Sequence, residues 1–153
     1  MPRCSRTLAS SWTDTTMKPV TSDDPLAVFA KTPFTRLLGM QRNFSEGGKA
    51  QISLDPHADL GNVIGAVHGG VVVTLLDVVM ASAAISRVNF QKTVVTLNLN
   101  TSFLEPGRGV LIAQGEVVDC DDDVAWCQAC VLDAQGRLVA KAQGSFRYLP
   151  RPQ

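Results

Sequence analysis

Residues 65–86 read GAVHGGVVVTLLDVVMASAAIS, and between His68 and Ser86 the one ionisable side chain is Asp77. Around it stand Val72, Val73, Leu75, Leu76, Val78, Val79, Met80, Ala83, Ala84 and Ile85. A segment that is apolar on nearly every side is either a buried helix or a membrane span. Thr74, Asp77 and Ser82 interrupt it, so no window reaches the roughly 18 to 20 unbroken apolar residues of a bilayer crossing. The triplet at 71–73 would suit a strand, but the length of the segment and its later Leu, Met and Ala favour a buried helix.

A carboxylate in such a helix is costly unless it is paired, protonated or turned toward a wet cleft. Asp77 is therefore either a buried acid satisfied by hydroxyl or backbone N–H groups, or a group kept for chemistry. Gly69 and Gly70 bear on that choice. They leave the start of the helix bare, so its free N–H groups and positive dipole end can approach a ligand oxygen. An oxyanion site and a carboxylate two turns apart are parts of an acyl-transfer site.

The rest of the chain supplies a sheet. Asp23, Asp24 and Pro25 signal the start of a short helix through Lys31, and Thr32-Pro33 starts a second that Gly39 stops. Residues 40–45 and 49–54 read as strands around the turn Glu46-Gly47-Gly48, and 55–67 as the loop into the central helix. Residues 93–103 alternate, with Val95, Leu97 and Leu99 expected on one face and Thr96, Asn98 and Asn100 on the other. Strands at 109–118, 124–132 and 138–148 follow, separated by the acidic run 119–123 and the turn 133–136. Six antiparallel strands and one apolar helix can bury that helix only if the sheet wraps around it, an α+β domain.

The 153 residues suffice for one domain with one real core, expected over 25–149 with tails at 1–24 and 150–153. Met17 is an alternative start. Fourteen basic and fourteen acidic residues cancel, which leaves no electrostatic footprint for nucleic acid or a membrane surface. The N-terminal stretch has no apolar core of a secretory signal, and its Ser, Thr and Arg content only faintly suggests a transit peptide. Of Cys4, Cys120, Cys127 and Cys130, the last two sit three apart in a strand and so face opposite ways, a poor metal site. Free thiols and a cytoplasmic location are the expectation, with no metal and no cofactor.

Asn62-x-x-Gly65-x-x-His68-Gly69-Gly70-x-x-x-x-Leu75-x-Asp77 resembles the signature of hotdog-fold acyl-CoA thioesterases, in particular the phenylacetic-acid-degradation group. The similarity runs from Thr32 to Phe146 and includes Thr32-Pro33-Phe34, Leu38-Gly39-Met40, and Thr96 ten residues before Pro106. The resemblance implies edge-to-edge dimers, often paired into tetramers, with the active site between subunits. It also implies hydrolysis of an aryl-acetyl, aroyl or medium-chain acyl-CoA. In that reading the Gly69 N–H, with Gly70, holds the carbonyl oxygen, and Asp77 attacks the carbon or activates water. Asn62 positions the carbonyl or the water, Thr96 faces the carboxylate, and His68 either caps the helix or moves a proton. Arg87 and Arg108, with Lys92 and Arg147, are candidates for the CoA phosphates, and Phe34, Phe44, Met40, Val73 and Met80 for the acyl pocket. One departure stands out: some relatives carry Ser or Thr one turn after the carboxylate, where this chain has Ala81, leaving Thr96 or Thr74 as the hydroxyl source. A non-catalytic acyl-CoA-binding domain and a hydratase using His68 and Asp77 are the competing readings.

Overall fold

The computed structural model describes Val20 and residues 24–152. The expectations for Cys4, Met17, Asp23 and most of the 1–24 tail lie outside the described residues. Helices α1 (Pro25–Lys31) and α2 (Pro33–Leu38) lead into β1 (Met40–Glu46) and β2 (Lys49–Leu54). A 3-10 turn, Ala58–Leu60, precedes the long helix α3 (Gly69–Arg87). Strands β3 (Lys92–Phe103), β4 (Leu111–Cys120), β5 (Val124–Asp133) and β6 (Leu138–Pro150) complete a single antiparallel sheet in the order β1-β2-β4-β5-β6-β3. This is the hotdog arrangement, a six-stranded sheet wrapped around one central helix.

Ten of the nineteen residues of α3 are buried, with Leu75, Leu76, Val79 and Met80 fully enclosed. By length and composition α3 could cross a membrane. Here it is the core helix, packed across β2, β4, β5 and β3. The helix can lie so close because a row of small residues crosses the sheet beneath it: Ala50, Gly115, Ala129 and Ala142 are successive partners on β2, β4, β5 and β6. A Cβ at Gly115 would stand 3.0 Å from the Val79 backbone, so this crossing requires glycine. Larger side chains at Ile52, Leu54, Val131 and Phe146 close the core around the row. Leu75→Ala or Leu76→Ala, by removing fully buried side-chain carbons, would cost about 2–5 kcal/mol per substitution.

Two expectations are corrected by register. β3 does not alternate straight through: the pairing with β6 slips between Thr96 and Asn98, so Leu97 is an inserted residue. Thr96 therefore pairs with buried Phe146, and Leu99 with buried Gly144, which puts Thr96 on the helix-facing side with Val94, Leu99 and Thr101. Val95 and Leu97 are left exposed. The acidic run is not all turn either, because Asp119 and Cys120 belong to β4 beyond a second slip. The turn proper is made by Asp121, whose Oδ1 accepts from the Asp123 and Val124 N–H groups. On β5, Cys127 points inward and is buried while Cys130 points outward, as their odd spacing requires.

Candidate active site

The chain enters α3 through residues 61–67, closed by a bridge between Gly61 and Val67. Asn62 organises this loop: its Oδ1 accepts from the Ile64 N–H (3.1 Å) and the Ala66 N–H (3.0 Å), and its own N–H donates to the Ala66 carbonyl (2.8 Å). Gly65 turns the loop at φ 69°, a left-handed angle that favours glycine. Asn62 itself has no such angle; among the described residues the non-glycine positive-φ positions are Asn89 and Phe90. With its oxygen spent inside the loop, the end of the Asn62 amide left to meet a ligand is the NH2.

His68 caps the helix. Its Nδ1 accepts from the Gly70 N–H at 3.0 Å, which in the neutral imidazole places the proton on Nε2. That bond occupies the Gly70 N–H, which the resemblance offers as a second donor to the substrate oxygen beside Gly69. Val71 and Val72 donate to the His68 carbonyl, so the Gly69 N–H is the one in this first turn without an acceptor among the described residues. It opens on a cleft of about 290 Å³ bordered by Asn62, Gly69, Val72, Phe103 and Glu105. Phe103 and Glu105 carry no sequence signal of a site beyond their place just before Pro106-Gly107.

Asp77 lies two turns further on, half-buried, and its Oδ1 accepts from the Thr96 hydroxyl at 2.7 Å. Burial pushes its pKa up, and the Thr96 bond works against that rise. The Leu97 bulge is what aims Thr96 inward to make this bond. Thr74, the other candidate hydroxyl, donates instead to the Gly70 carbonyl at 2.8 Å, as a helical threonine does. Asp77 and Gly69 share a helix, but eight residues at 1.5 Å each put them about 12 Å apart along the axis. An Asp side chain cannot span that gap to a carbonyl held at Gly69.

The structure does not gather the basic candidates. Arg87 is at the far end of α3, eighteen residues or about 27 Å from Gly69. Lys92 donates to the Asp122 carbonyl and lies over the Tyr148 ring. Arg108 does reach the site, but through the loop: its guanidinium donates to the carbonyls of Gly65 (2.5 Å) and Ile64 (3.2 Å). Among the pocket candidates Met40 and Met80 are core and Phe34 is exposed. Phe44 borders a separate groove of about 990 Å³ on the outer face of the sheet, where Gln114, Gln128 and Lys141 stand and no expected catalytic residue does. His57 is exposed and only loosely paired with Asp59 at 3.7 Å. Among the described residues no group of His, Cys, Asp and Glu is placed to hold a metal.

Residues 64–140 match the family described as the thioesterase superfamily. A curated relative from Halobacterium salinarum that carries a provisional esterase name is 33% identical over 121 residues, 72% of this chain and 80% of its own length. Among solved structures, a conserved protein of Pseudomonas aeruginosa superposes with a TM-score of 0.74 at 28% identity, covering 77% of this chain and 94% of that one. The PaaI protein of the E. coli phenylacetic acid degradation operon superposes with a TM-score of 0.75 at 22% identity, covering 80% and 88%, a likeness of fold.

Proposed function

We propose that this chain, which belongs to the thioesterase superfamily, hydrolyses an acyl-CoA thioester to the free acid and CoA in a site assembled from two copies. The observation that carries the reading is the separation of about 12 Å between the Gly69 N–H and Asp77 on one helix. Each chain then holds one half of two sites. The edge strand β3 supplies a way to join the halves. It is the last strand of the sheet, with Val95 and Leu97 exposed, and it runs beside α3 so that Phe103 lies by Gly69 and Thr96 by Asp77. A two-fold axis through the middle of β3 sets Thr96 of one copy opposite Phe103 of the other. Asp77 of one copy then meets the Gly69 mouth of its partner. The half-buried flank of α3, with Val73, Val78, Ala81 and Ile85, would be covered in the same step.

In that site the thioester oxygen takes the Gly69 N–H, whose bond strengthens as the oxygen gains charge. The Asn62 NH2 positions the carbonyl or the attacking water. Asp77 acts as general base or nucleophile; as base, it takes a proton from water while oxygen adds to the carbonyl carbon. The C–S bond then breaks and the proton leaves with the CoA sulfur. The raised pKa of Asp77 suits a base, and the Thr96 hydroxyl favours its charged form. An aryl-acetyl group such as phenylacetyl is the first acyl to try, given the pathway named for the E. coli neighbour. Free thiols at Cys120, Cys127 and Cys130 fit a reducing cytoplasm.

The first test is thiol release from phenylacetyl-, hydroxyphenylacetyl-, benzoyl- and straight-chain CoA thioesters, where release from none favours a binding domain. The second test is complementation. A Cβ at Gly69 would meet only the Phe103 ring at 3.5 Å, so the backbone admits a side chain there, and Gly69→Val, its folding checked by circular dichroism, should crowd the carbonyl. Alone, Gly69→Val and Asp77→Ala should each be inactive; refolded together they should regain activity, because the mixed dimer carries one intact site. No recovery from a mixture shown by light scattering to contain hybrids would return the site to a single chain.

A further inference from the structure

Arg108 invites assignment to a CoA phosphate, yet its guanidinium is already committed. It bridges two successive carbonyls, those of Ile64 and Gly65, from the turn between β3 and β4. Its neighbour Gly107 accepts the Val67 N–H at 2.9 Å, so this turn grips the 61–67 loop near its closing bridge and at its tip. The tip has little else to hold it: Val63 is fully exposed and Ile64 is 60% exposed. Its internal bonds all run to Asn62, which fixes the shape of the loop but not its placement against the cleft.

We propose that Arg108 is a positioning residue whose two-carbonyl clamp holds the loop so that the Asn62 NH2 faces the reacting carbonyl. The inference rests on the hydrolase reading above. A planar guanidinium fork can serve two adjacent carbonyls at once, whereas a lysine ammonium at the same place serves them poorly. Losing the clamp leaves Asn62 chemically intact but misplaced, and misplacement of about 1 Å costs up to about 100-fold in rate.

The experiment combines amide exchange with kinetics on Arg108→Ala and Arg108→Lys. The substrates are the best CoA thioester and the matching pantetheine thioester, which lacks the nucleotide and its phosphates. Exchange at the Ile64 and Ala66 amides should quicken in Arg108→Ala. Its kcat should fall on both substrates alike, by up to about 100-fold, with Arg108→Lys falling less. In an Asn62→Ala background the Arg108→Ala change should add little further loss, since both remove the same function. A loss confined to the CoA substrate and expressed in KM would overturn the proposal in favour of a phosphate contact. Unchanged exchange would overturn it whatever the activity. A wild-type protein that hydrolyses none of the thioesters would remove the hydrolase reading, while the exchange rates would still decide whether Arg108 holds the loop.

Discussion

Asp77 and Asp133 are both carboxylates withdrawn from water, and the chain treats them in opposite ways. Asp133 ends β5 with 3% of its surface exposed, and both of its carboxylate oxygens accept hydrogen bonds. Its Oδ1 accepts from the Gln135 and Arg137 N–H groups (both 2.9 Å) and its Oδ2 from Arg137 Nε at 2.7 Å. Burial alone would raise its pKa, but these donors outweigh it and hold the carboxyl below the usual range. Among the described residues Asp77 has one donor, the Thr96 hydroxyl, and burial wins. An acid with three donors stitches a turn. An acid with a single donor on the flank of a helix is a candidate for chemistry, because burial leaves its charged form poorly compensated.

The widest gap between the two should appear in turnover. Asp77→Ala is expected to lower kcat by about 10²- to 10⁴-fold with the fold retained by circular dichroism, while Asp133→Asn leaves kcat unchanged. Near-normal turnover in a folded Asp77→Ala protein would remove the distinction. Stability should show the reverse ranking: Asp133→Asn loses the Arg137 ion pair and at least one acceptor in the β5-β6 turn, so its Tm should drop by several degrees. Thermal melts at neutral pH decide this.

The two acids should also carry opposite pH signatures. In folded protein Asp77 retains a proton that the unfolded chain has already released. Stability therefore falls as pH rises from the ordinary Asp value of about 3.9 up through the raised one. Uncharged Asp77→Asn should be more stable than wild type at neutral pH, and that gain should vanish below the ordinary value. Asp133 contributes stability above the ordinary value and loses it as pH falls through its lowered one, so the deficit of Asp133→Asn should shrink in acid. Melting curves across roughly pH 3 to 8 would expose two differences of opposite sign; equal signs would mean that the two environments are not what separates the residues.

Much of this contrast was open to sequence reading, and the part that was not has a physical cause. A lone Asp in an apolar helix is visible because local composition already makes it costly, and the helix and strands follow from period and turn residues. The Asp77–Thr96 bond was reachable only as a family expectation, since plain alternation along β3 sends Thr96 with Asn98 and Asn100 to the wrong face. The inserted Leu97 changes that, and a bulge is defined by the partner strand β6, fifty residues away in sequence. The Arg108 clamp joins positions 43 and 44 apart, and the engagement of the Gly70 N–H depends on the rotamer of His68. The row Ala50, Gly115, Ala129 and Ala142 becomes one feature only after four strands pair.

The smallest effect is the sharpest probe of the Asp77 half of the comparison. The Thr96 hydroxyl donates to Oδ1 and so favours the charged carboxylate, the one hydrogen bond that opposes the upward push of burial. Thr96→Val keeps the branched shape of the side chain on its strand and removes only that donor. The pKa of Asp77 should then rise further, because burial is left unopposed. If Asp77 must be ionised to act, the acid limb of the kcat/KM profile should move to higher pH in Thr96→Val. Well above that limb the variant should approach wild-type activity, since the base is again charged and the oxyanion donor at Gly69 is untouched. A limb that stays in place, or moves to lower pH, would mean that the ionisation governing the reaction belongs to a group other than Asp77, and Glu105 at the edge of the cleft would be the carboxylate to substitute next.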